Sequence, residues 1–327
     1  MMKVAILGAG AWGSALANIL VGSDTRVTLW GHDSVTLGEI ARNRCNQRYL
    51  PGIKLSAELQ FNSNLADTVA GAEVVIVSVP SRVFREVSRA MSDFKGVAIS
   101  VTKGIEYKTS LTMSGVLRQT APKARIAALS GPTLAPEVAL GIPAAIVAAS
   151  ECAETARQVQ RLLHRPQFRV YTSADVRGVE LGGALKNVIA ISAGICDGLG
   201  FGDNSKAALV TRSLAEIRRL GVACGAQAET FSGLSGLGDL MVTCFSRLSR
   251  NRSLGERLGR GEKLETVVAT SPSVAEGYPT AQAAFELARH RNISTPVIDE
   301  VYAVLYENKN PAQALRDLTA RDLKAED

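Results

Sequence analysis

Short runs of apolar residues alternate with longer mixed stretches over the first half of the chain. Val, Ile and Ala dominate these runs, which cover residues 3–7, 27–30, 74–79, 97–101 and 126–130. Near-continuous apolar strands separated by helical stretches are typical of a parallel sheet that helices cover on both faces. Two further β-like runs follow at residues 144–148 and 168–171. The first half is therefore predicted to be an α/β domain built on a parallel sheet.

The pattern changes near residue 175, after which apolar residues recur with the period of an α-helix. Asp203 or Asn204 is expected to cap the second of these helices, and Gly221 is expected to end it. The chain is thus interpreted as an α/β domain at residues 1–174 followed by an all-α domain at residues 175–327. In the second domain, helices are predicted over residues 175–196, 203–220, 279–290 and 296–307.

A glycine-rich turn joins the first predicted strand to the first predicted helix. It reads Gly8-Ala9-Gly10-Ala11-Trp12-Gly13. The first glycine allows a tight turn, the second lets the backbone approach a pyrophosphate, and the third lets helix and strand pack closely. Free N–H groups at the start of the helix would then face the phosphates. An ordinary glycine turn is the alternative, but the strand–turn–helix context favours a Rossmann-type dinucleotide-binding domain.

The end of the second predicted strand is where such domains bind the adenosine ribose. The residues there are Trp30, Gly31, His32 and Asp33, so no acid stands at the tip of the strand. Without a well-placed carboxylate, a 2′-phosphate is not repelled, and His32 could contact it. The site is therefore expected to accept NADP(H) as well as NAD(H), although His32 could instead be an exposed loop residue.

Composition and charge narrow the classes of ligand. The 327 residues are 46% hydrophobic, which excludes a mainly disordered chain, and the net charge is +6. Aromatic residues make up 5%, and no dense Lys/Arg run occurs, so a nucleic-acid surface is not expected and a small phosphorylated ligand is favoured. No apolar run reaches the length of a membrane span, and no signal peptide is recognisable. A cytoplasmic protein is expected.

Cysteine and histidine usage bears on redox state and on catalysis. The five cysteines are scattered and never spaced as C-x-x-C, so reduced, partly buried thiols and no metal site are expected. Only three histidines are present, namely His32, His164 and His290. The last two lie in Arg-flanked stretches typical of surface, and His32 lies at the adenosine end. A proton donor for hydride chemistry is therefore sought among the lysines.

Two lysines stand out by their context. Lys103 follows a predicted parallel strand, at the edge where open α/β sheets bind their ligands. Lys186 is a lone charge in an otherwise apolar helix, preceded by Gly182 and Gly183, which would allow another backbone or a ligand to approach closely. A surface lysine with its amine in water is the alternative for Lys186.

Three further segments carry polar groups suited to a small phosphorylated ligand. Residues 130–133, Ser-Gly-Pro-Thr, end a strand and could present backbone amides and a hydroxyl. A glycine-rich loop at residues 233–239 ends in Asp239, which could alternatively be a simple helix N-cap. Ser249, Arg250 and Asn251 together could bind a phosphate, although such a cluster is more often solvated surface.

Taken together, these motifs resemble those of the bacterial NAD(P)-dependent glycerol-3-phosphate dehydrogenases over essentially the whole chain. The resemblance extends to residues 181–190, to Gly236-Leu237-Gly238-Asp239-Leu240 and to Glu276-Gly277-Tyr278. It implies reversible reduction of dihydroxyacetone phosphate to sn-glycerol 3-phosphate for phospholipid synthesis, and a homodimer. Lys186 matches the family's catalytic proton acceptor or donor, and Lys103 matches a lysine shared by the substrate and cofactor sites. Substrate positions are matched by Gly131, Thr133, Asp239, Ser249, Arg250 and Asn251, and cofactor positions by Gly8, Gly10, Ala11, Trp12, Gly13, His32, Ala135, Arg250, Val274 and Glu276.

Two departures from the family pattern and two rival functions accompany this resemblance. Ala11 replaces a frequent serine and Ala275 a frequent valine, and neither is expected to touch the reacting atoms. The 3-hydroxyacid dehydrogenases, including 6-phosphogluconate dehydrogenase, share the architecture and also use a helix lysine. A non-catalytic dinucleotide sensor is the other alternative, but it would leave Lys186 unexplained.

Overall fold

The computed structural model describes residues 1–22, 24–271 and 275–320, and its N-terminal half is organised around an eight-stranded sheet. The sheet order is β10-β9-β8-β7-β6-β1-β2-β5, and a separate hairpin pairs β3 with β4. Every pair in the large sheet is parallel except β8 and β9, which run antiparallel. The strands are β1 (Met2–Leu7), β2 (Thr25–Trp30), β3 (Cys45–Asn46), β4 (Leu50–Lys54), β5 (Gln60–Asn62), β6 (Val74–Val77), β7 (Val97–Ser100), β8 (Arg125–Ser130), β9 (Ala144–Ala149) and β10 (Phe168–Ser173).

Helices cover both faces of this sheet, as the apolar strands predict. Alternate residues of β1 enter two separate cores, with Ile6 packing near Leu16 on one face and Ala5 near Phe84 on the other. All four residues of β6 are buried, because neither face of that strand is open to water. The helices of this half are α1 (Ala11–Leu20), α2 (Ser34–Asn43), α3 (Leu65–Ala70), α4 (Ser81–Ser88), α5 (Met113–Thr120), α6 (Ala135–Ala139) and α7 (Ala153–Leu163).

The described residues after β10 are helical, which confirms the predicted order of an α/β half followed by an all-α half. A π-helical turn spans Leu234–Gly238 and runs directly into the helix that carries Asp239. The division at residue 174 itself stays a prediction. The helices are α8 (Val176–Gly198), α9 (Asp203–Ala223), α10 (Asp239–Phe245), α11 (Arg250–Gly259), α12 (Leu264–Thr270), α13 (Gly277–His290), α14 (Pro296–Tyr306) and α15 (Pro311–Thr319).

Helix α8 is the centre of the helical half. It is long and apolar enough to cross a membrane by length and composition, yet its most apolar 18-residue window is entirely buried inside the protein. Helices α9, α10, α11, α13 and α14 all pack against it. Buried Ser192 bonds back to the carbonyl of Ile189 within the helix, but three other buried polar side chains, Glu180, Lys186 and Asn187, cannot all be satisfied that way. Each of them must therefore have partners in the neighbouring elements.

Glycines bring α8 and α11 into direct backbone contact. Gly194 and Gly198 on α8 face the backbone of α11, and Gly255 and Gly259 on α11 face the backbone of α8. A Cβ atom at any of these four positions would overlap a backbone atom of the other helix. The small-x-x-x-small spacing on both helices allows this close approach and fixes where the N-terminus of α11 lies relative to α8.

Two details of the helical half differ from the sequence prediction. Helix α9 begins after Gly202, which is its N-cap, and it continues through Gly221 to Ala223. The glycine therefore lies inside the helix, where its missing side chain leaves room for the ring of Phe231. The sequence also does not predict helices α10, α11, α12 and α15 of this half, nor strands β3, β4 and β5 of the sheet half, all of which have ten residues or fewer.

Candidate active site

The glycine-rich turn has the geometry expected of a dinucleotide site. Gly8 has a φ of 122°, and a Cβ there would collide with the carbonyl of Ser78. A Cβ at Gly13 would overlap the carbonyl oxygen of Gly8, whereas Gly10 faces open space. Helix α1 starts at Ala11 with neither a capping side chain nor an acid in its first turn. The turn therefore presents open N–H groups to an anion, which fits a pyrophosphate.

The adenosine end of the turn lacks an available carboxylate. Asp33 accepts hydrogen bonds from the N–H groups of Val35 (3.0 Å) and Thr36 (3.2 Å) and so caps α2. The Thr36 hydroxyl also donates to it at 2.5 Å, and this bond lowers the pKa of Asp33. His32 is exposed beside it. The contact of His32 with a 2′-phosphate stays a prediction.

Trp12 and Ala135 lie on the same side of the glycine-rich turn. Both pack against the small core formed by Ala15, Leu50 and Ile53. The Trp12 ring also contacts Phe168 at a centroid distance of 6.3 Å. The two predicted cofactor positions are thus brought together at the start of α1.

Lys186 and Lys103 share one buried carboxylate. The Nζ atom of Lys186 donates to Oδ1 of Asp239 at 2.5 Å, and that of Lys103 donates to Oδ2 at 2.6 Å. Lys186 also donates to the Thr243 hydroxyl at 2.6 Å. The residue Asp239 is 1% exposed and Lys186 is 6% exposed, so the surface-lysine alternative for Lys186 is wrong. The helix-cap alternative for Asp239 is also wrong, because Gly238 is the N-cap of α10.

The environment of Lys186 lowers its pKa to about 8, chiefly through burial. The positive charge of Lys103 lowers the pKa further, and the carboxylate of Asp239 opposes both effects. The thiol of Cys244 is the remaining titratable neighbour, and burial raises its own pKa to about 12. A lysine with a pKa near neutrality can both donate and accept a proton under physiological conditions.

The glycine at the end of β8 lies directly against Lys103. Gly131 has a φ of 151°, and its carbonyl oxygen accepts a hydrogen bond from Lys103 Nζ at 2.9 Å. The hydroxyl of Thr133 donates to the same oxygen at 3.0 Å. Ser130 is buried, and its hydroxyl lies 3.4 Å from Oδ2 of Asp239. Gly182 has the predicted role of letting another backbone approach, since a Cβ there would overlap the carbonyl oxygen of Ser235, whereas Gly183 faces the side-chain hydroxyl of Ser130.

A chain of amides connects three helices of the site. Asn251 donates to Oδ1 of Asn187 at 2.9 Å and accepts from the N–H of Gly277 at 2.8 Å. Ser249 caps α11 by accepting from the N–H of Arg252 at 3.2 Å. Arg250, the first residue of α11, is exposed. The predicted phosphate-binding residues thus lie at the N-terminus of one helix, which favours an anion.

Glu276 reaches across to the sheet half. Its carboxylate accepts from the N–H of Ser81 at 3.1 Å and from the Ser81 hydroxyl at 2.6 Å. These atoms lie at the start of α4, whose N-cap, Pro80, has no side chain that could accept. Burial raises the pKa of Glu276, and the nearby Arg250 interacts with its charge. Val274, also predicted to contact the cofactor, lies outside the described residues.

Sequence reasoning did not find Thr243 or Ser81. The spacing of Asp239 and Thr243, four residues apart on one helix, could have indicated Thr243 as a second partner of Lys186. The remaining histidines, His164 and His290, are exposed, as predicted. The cysteines are all free, and three of the five are buried. Among the described residues, no group of three or more His, Cys, Asp or Glu side chains could hold a metal ion.

Comparison with known proteins extends over the full length of the chain. Residues 3–156 match the model of the NAD-dependent glycerol-3-phosphate dehydrogenase N-terminus, and residues 175–316 match that of the C-terminus. A protein named glycerol-3-phosphate dehydrogenase [NAD(P)+] from Syntrophotalea carbinolica is 46% identical over 331 residues, which is 99% of each chain. The protein of the same name from Geobacter metallireducens is 47% identical over 330 residues, 99% of this chain and 98% of the relative.

Solved structures agree with this assignment. The crystal structure of glycerol-3-phosphate dehydrogenase from Coxiella burnetii superposes with a TM-score of 0.94 at 36% identity, covering 98% of this chain and 99% of that one. The glycine-rich turn and the lysine pair on Asp239 agree with the matched family models. The chain belongs to the NAD-dependent glycerol-3-phosphate dehydrogenase family.

Proposed function

We propose that this protein reversibly reduces dihydroxyacetone phosphate to sn-glycerol 3-phosphate with NAD(P)H. The observation that carries the proposal is the buried Lys186–Asp239–Lys103 group, in which Lys103 follows β7 at the same edge of the sheet as the glycine-rich turn that follows β1. The names of the relatives support the reaction and both nicotinamide cofactors. When bound, the reduced cofactor supplies the hydride that is added to the substrate carbonyl.

Lys186 is the proton donor in this proposal. Its Nζ is held by Asp239 and Thr243, so the amine has a fixed direction when the carbonyl oxygen of the substrate develops negative charge. Protonated Lys186 donates to that oxygen, and neutral Lys186 accepts the proton in the reverse reaction. Lys103, which binds the other oxygen of the Asp239 carboxylate, adds a second positive charge that stabilises the developing alkoxide.

The phosphate of the substrate is assigned to the start of α11. Arg250 offers a forked donor there, and Ser249 and Asn251 flank it at the N-terminus of a ten-residue helix. Gly131 accepts a hydrogen bond from Lys103, and Thr133 donates to the same carbonyl oxygen. Binding energy from the phosphate, which does not react, would thus orient the carbonyl toward Lys186.

The cofactor is assigned to residues that fit its chemical groups. The turn at Gly8, Gly10 and Gly13 would hold the pyrophosphate, since Gly10 faces open space. The other assigned contacts follow the family positions: Ala11, Trp12, His32, Lys103, Ala135, Arg250, Val274 and Glu276. A cytoplasmic homodimer that supplies glycerol 3-phosphate for phospholipid synthesis completes the proposal.

The decisive assay follows loss of NADPH or NADH absorbance on addition of dihydroxyacetone phosphate. Turnover is expected with both cofactors, and oxidation of 6-phosphogluconate with NADP+ should be undetectable. The opposite substrate preference would establish the 3-hydroxyacid rival. Tight cofactor binding without any turnover would establish the sensor alternative.

The role of Lys186 is tested by Lys186→Ala. Loss of the proton donor should lower kcat by ~10² to 10⁴, the usual contribution of acid–base catalysis. Cofactor affinity, followed by nicotinamide fluorescence, should change little, because Lys186 contacts Asp239 and Thr243 rather than the glycine-rich turn. Nearly intact turnover would show that another group donates the proton.

A further inference from the structure

A second buried charge on α8 has no part in the reaction described above. Glu180 precedes Lys186 on the same helix and is 7% exposed. Its carboxylate accepts from the N–H of Ser114 at 2.8 Å and from the Ser114 hydroxyl at 2.5 Å. These atoms lie in the first turn of α5, whose N-cap Thr112 makes no capping bond of its own. A side chain of the helical half therefore caps a helix of the sheet half.

The stretch of chain just before α5 begins with Lys103. We call residues 103–112 the Lys103 segment. Its ends are paired, since Ile105 and Thr112 form an antiparallel bridge and the N–H of Glu106 donates to the carbonyl of Leu111 at 2.9 Å. Ile105 is buried in the core of the helical half. The segment therefore folds back on itself and rests on α8 and its neighbours.

Helix α8 contacts this segment at both of its ends. At the first end, Asn187 Nδ2 donates to the carbonyl oxygen of Lys103 at 3.3 Å. At the second end, Glu180 holds Ser114, two residues beyond Thr112. Glu106, which lies beside the paired ends, is tied separately to α4 by its ion pair with Arg85. The same helix that carries Lys186 thus fixes the path of the chain that carries Lys103.

From this arrangement we propose that Glu180 is a positioning residue, which sets the place of Lys103 relative to Lys186 through the cap on α5 and the paired ends of the Lys103 segment. The inference rests on the proposed function for its kinetic consequence. It assigns Glu180 no contact with substrate or cofactor. A loosened cap lets the Lys103 segment move, and misplacement of a catalytic group lowers turnover more than it lowers affinity.

The protonation of Lys186 reports on this placement. Three titratable groups face its amine: Lys103, Asp239 and Cys244. If Lys103 moves away, its positive charge no longer lowers the pKa of Lys186, and the carboxylate of Asp239 pairs with Lys186 alone. Both changes raise the pKa of Lys186. A purely structural weakening of the fold would leave that pKa unchanged.

The test compares Glu180→Ala, Glu180→Gln and Ser114→Ala with a matched control. Glu216 is also a buried glutamate that caps a helix in trans, since it accepts from the N–H groups of Val297 (3.0 Å) and Ile298 (2.9 Å) at the start of α14. Glu216→Ala should destabilise the protein without affecting Lys103. Two quantities are measured: kcat for dihydroxyacetone phosphate reduction, and the titration of Lys186 followed by NMR of lysine 13Cε in the ligand-free protein, assigned with Lys186→Arg.

The expected results distinguish a positioning role from a structural one. Glu180→Ala should lower kcat about 10-fold, with a smaller loss in Ser114→Ala and recovery in the isosteric Glu180→Gln. In the first two variants the Lys186 titration should move up by at least about 0.5 pH unit. If Glu180→Ala does not fold, the kcat and the Lys186 titration of Ser114→Ala decide between a positioning role and a structural one.

An unchanged kcat and Lys186 titration in Ser114→Ala, or the same changes in Glu216→Ala, would overturn the proposal. Absence of turnover in the wild type would instead refute the proposed function. The NMR titration would still decide the role of Glu180 in that case, because it needs neither substrate nor cofactor.

Discussion

The pKa of Lys186 makes a specific prediction about the pH dependence of the two reaction directions. Burial and the neighbouring Lys103 lower the pKa from 10.5 to about 8. At 1.36 kcal/mol per unit, this difference corresponds to about 3 kcal/mol in favour of the neutral amine. The reduction requires protonated Lys186, and the oxidation requires the neutral form. At pH 7 about 90% of the amine is protonated, and at pH 9 only about 10% is.

The two directions should therefore show mirror-image profiles with a common midpoint. kcat/KM for dihydroxyacetone phosphate reduction should fall about 10-fold per pH unit above pH 8, and that for glycerol 3-phosphate oxidation should fall equally below it. The second ionisation of a phosphate monoester lies near pH ~6 and so affects a separate part of each profile.

Initial rates at constant ionic strength from about pH 6 to about pH 10 would test this prediction in both directions. Lys186→Arg is the informative control, since a guanidinium stays protonated and should abolish the limb near pH 8 along with most of the activity. A reduction rate that stays level up to about pH 9.5 would refute the argument, because it would place the acid at the ordinary lysine value.

Three further variants and one control test other parts of the molecule. Asp239→Asn removes the anion that opposes the lowering of the Lys186 pKa, so the alkaline limb of the reduction should move to lower pH; a shift to higher pH would contradict the electrostatic account. Gly255→Ala places a methyl group against the backbone of α8 and should cost about 1–3 kcal/mol in urea unfolding and raise KM for dihydroxyacetone phosphate. Gly38→Ala adds a methyl group that meets open space on α2, so it should change neither the free energy of unfolding nor KM for dihydroxyacetone phosphate. Asp33→Ala removes the cap of α2 and should lower Tm, yet the ratio of NADPH to NADH efficiency should hold, because this carboxylate is engaged by Thr36 and Val35; a strong shift in that ratio would show that it contacts the ribose.

The parts of the site that could be predicted from sequence are those with a local cause. The glycine-rich turn depends on backbone geometry over six residues, and Lys186 stood out as a charge in an apolar helix. The helix caps in trans could not be predicted, because Glu180 and Ser114 are 66 positions apart and Glu276 and Ser81 are 195 apart. Nothing local in either partner indicates the other.

The same limit applies to the fold. The apolar run of β9 is easily recognised, but whether that strand runs with or against β8 depends on the path of the connecting chain. Helix α11 was missed because its sequence is rich in charge, and only its glycines, which meet α8, explain why it packs so closely. The direction of β9 and the close packing of α11 are therefore set by long-range contacts, which the local sequence pattern does not reveal.

The burial of α8 has a consequence for the synthesis of the protein. Its cover comes from helices that follow it in the chain, the last of which, α14, ends at Tyr306. After α8 has been synthesised, roughly 100 further residues must be added before α14 is complete, which takes about 5 to 20 s at ordinary elongation rates. Throughout that interval this long apolar helix lacks part of its cover and is open to other hydrophobic surfaces. The nascent chain should therefore depend on chaperones most strongly between the completion of α8 and the arrival of α14.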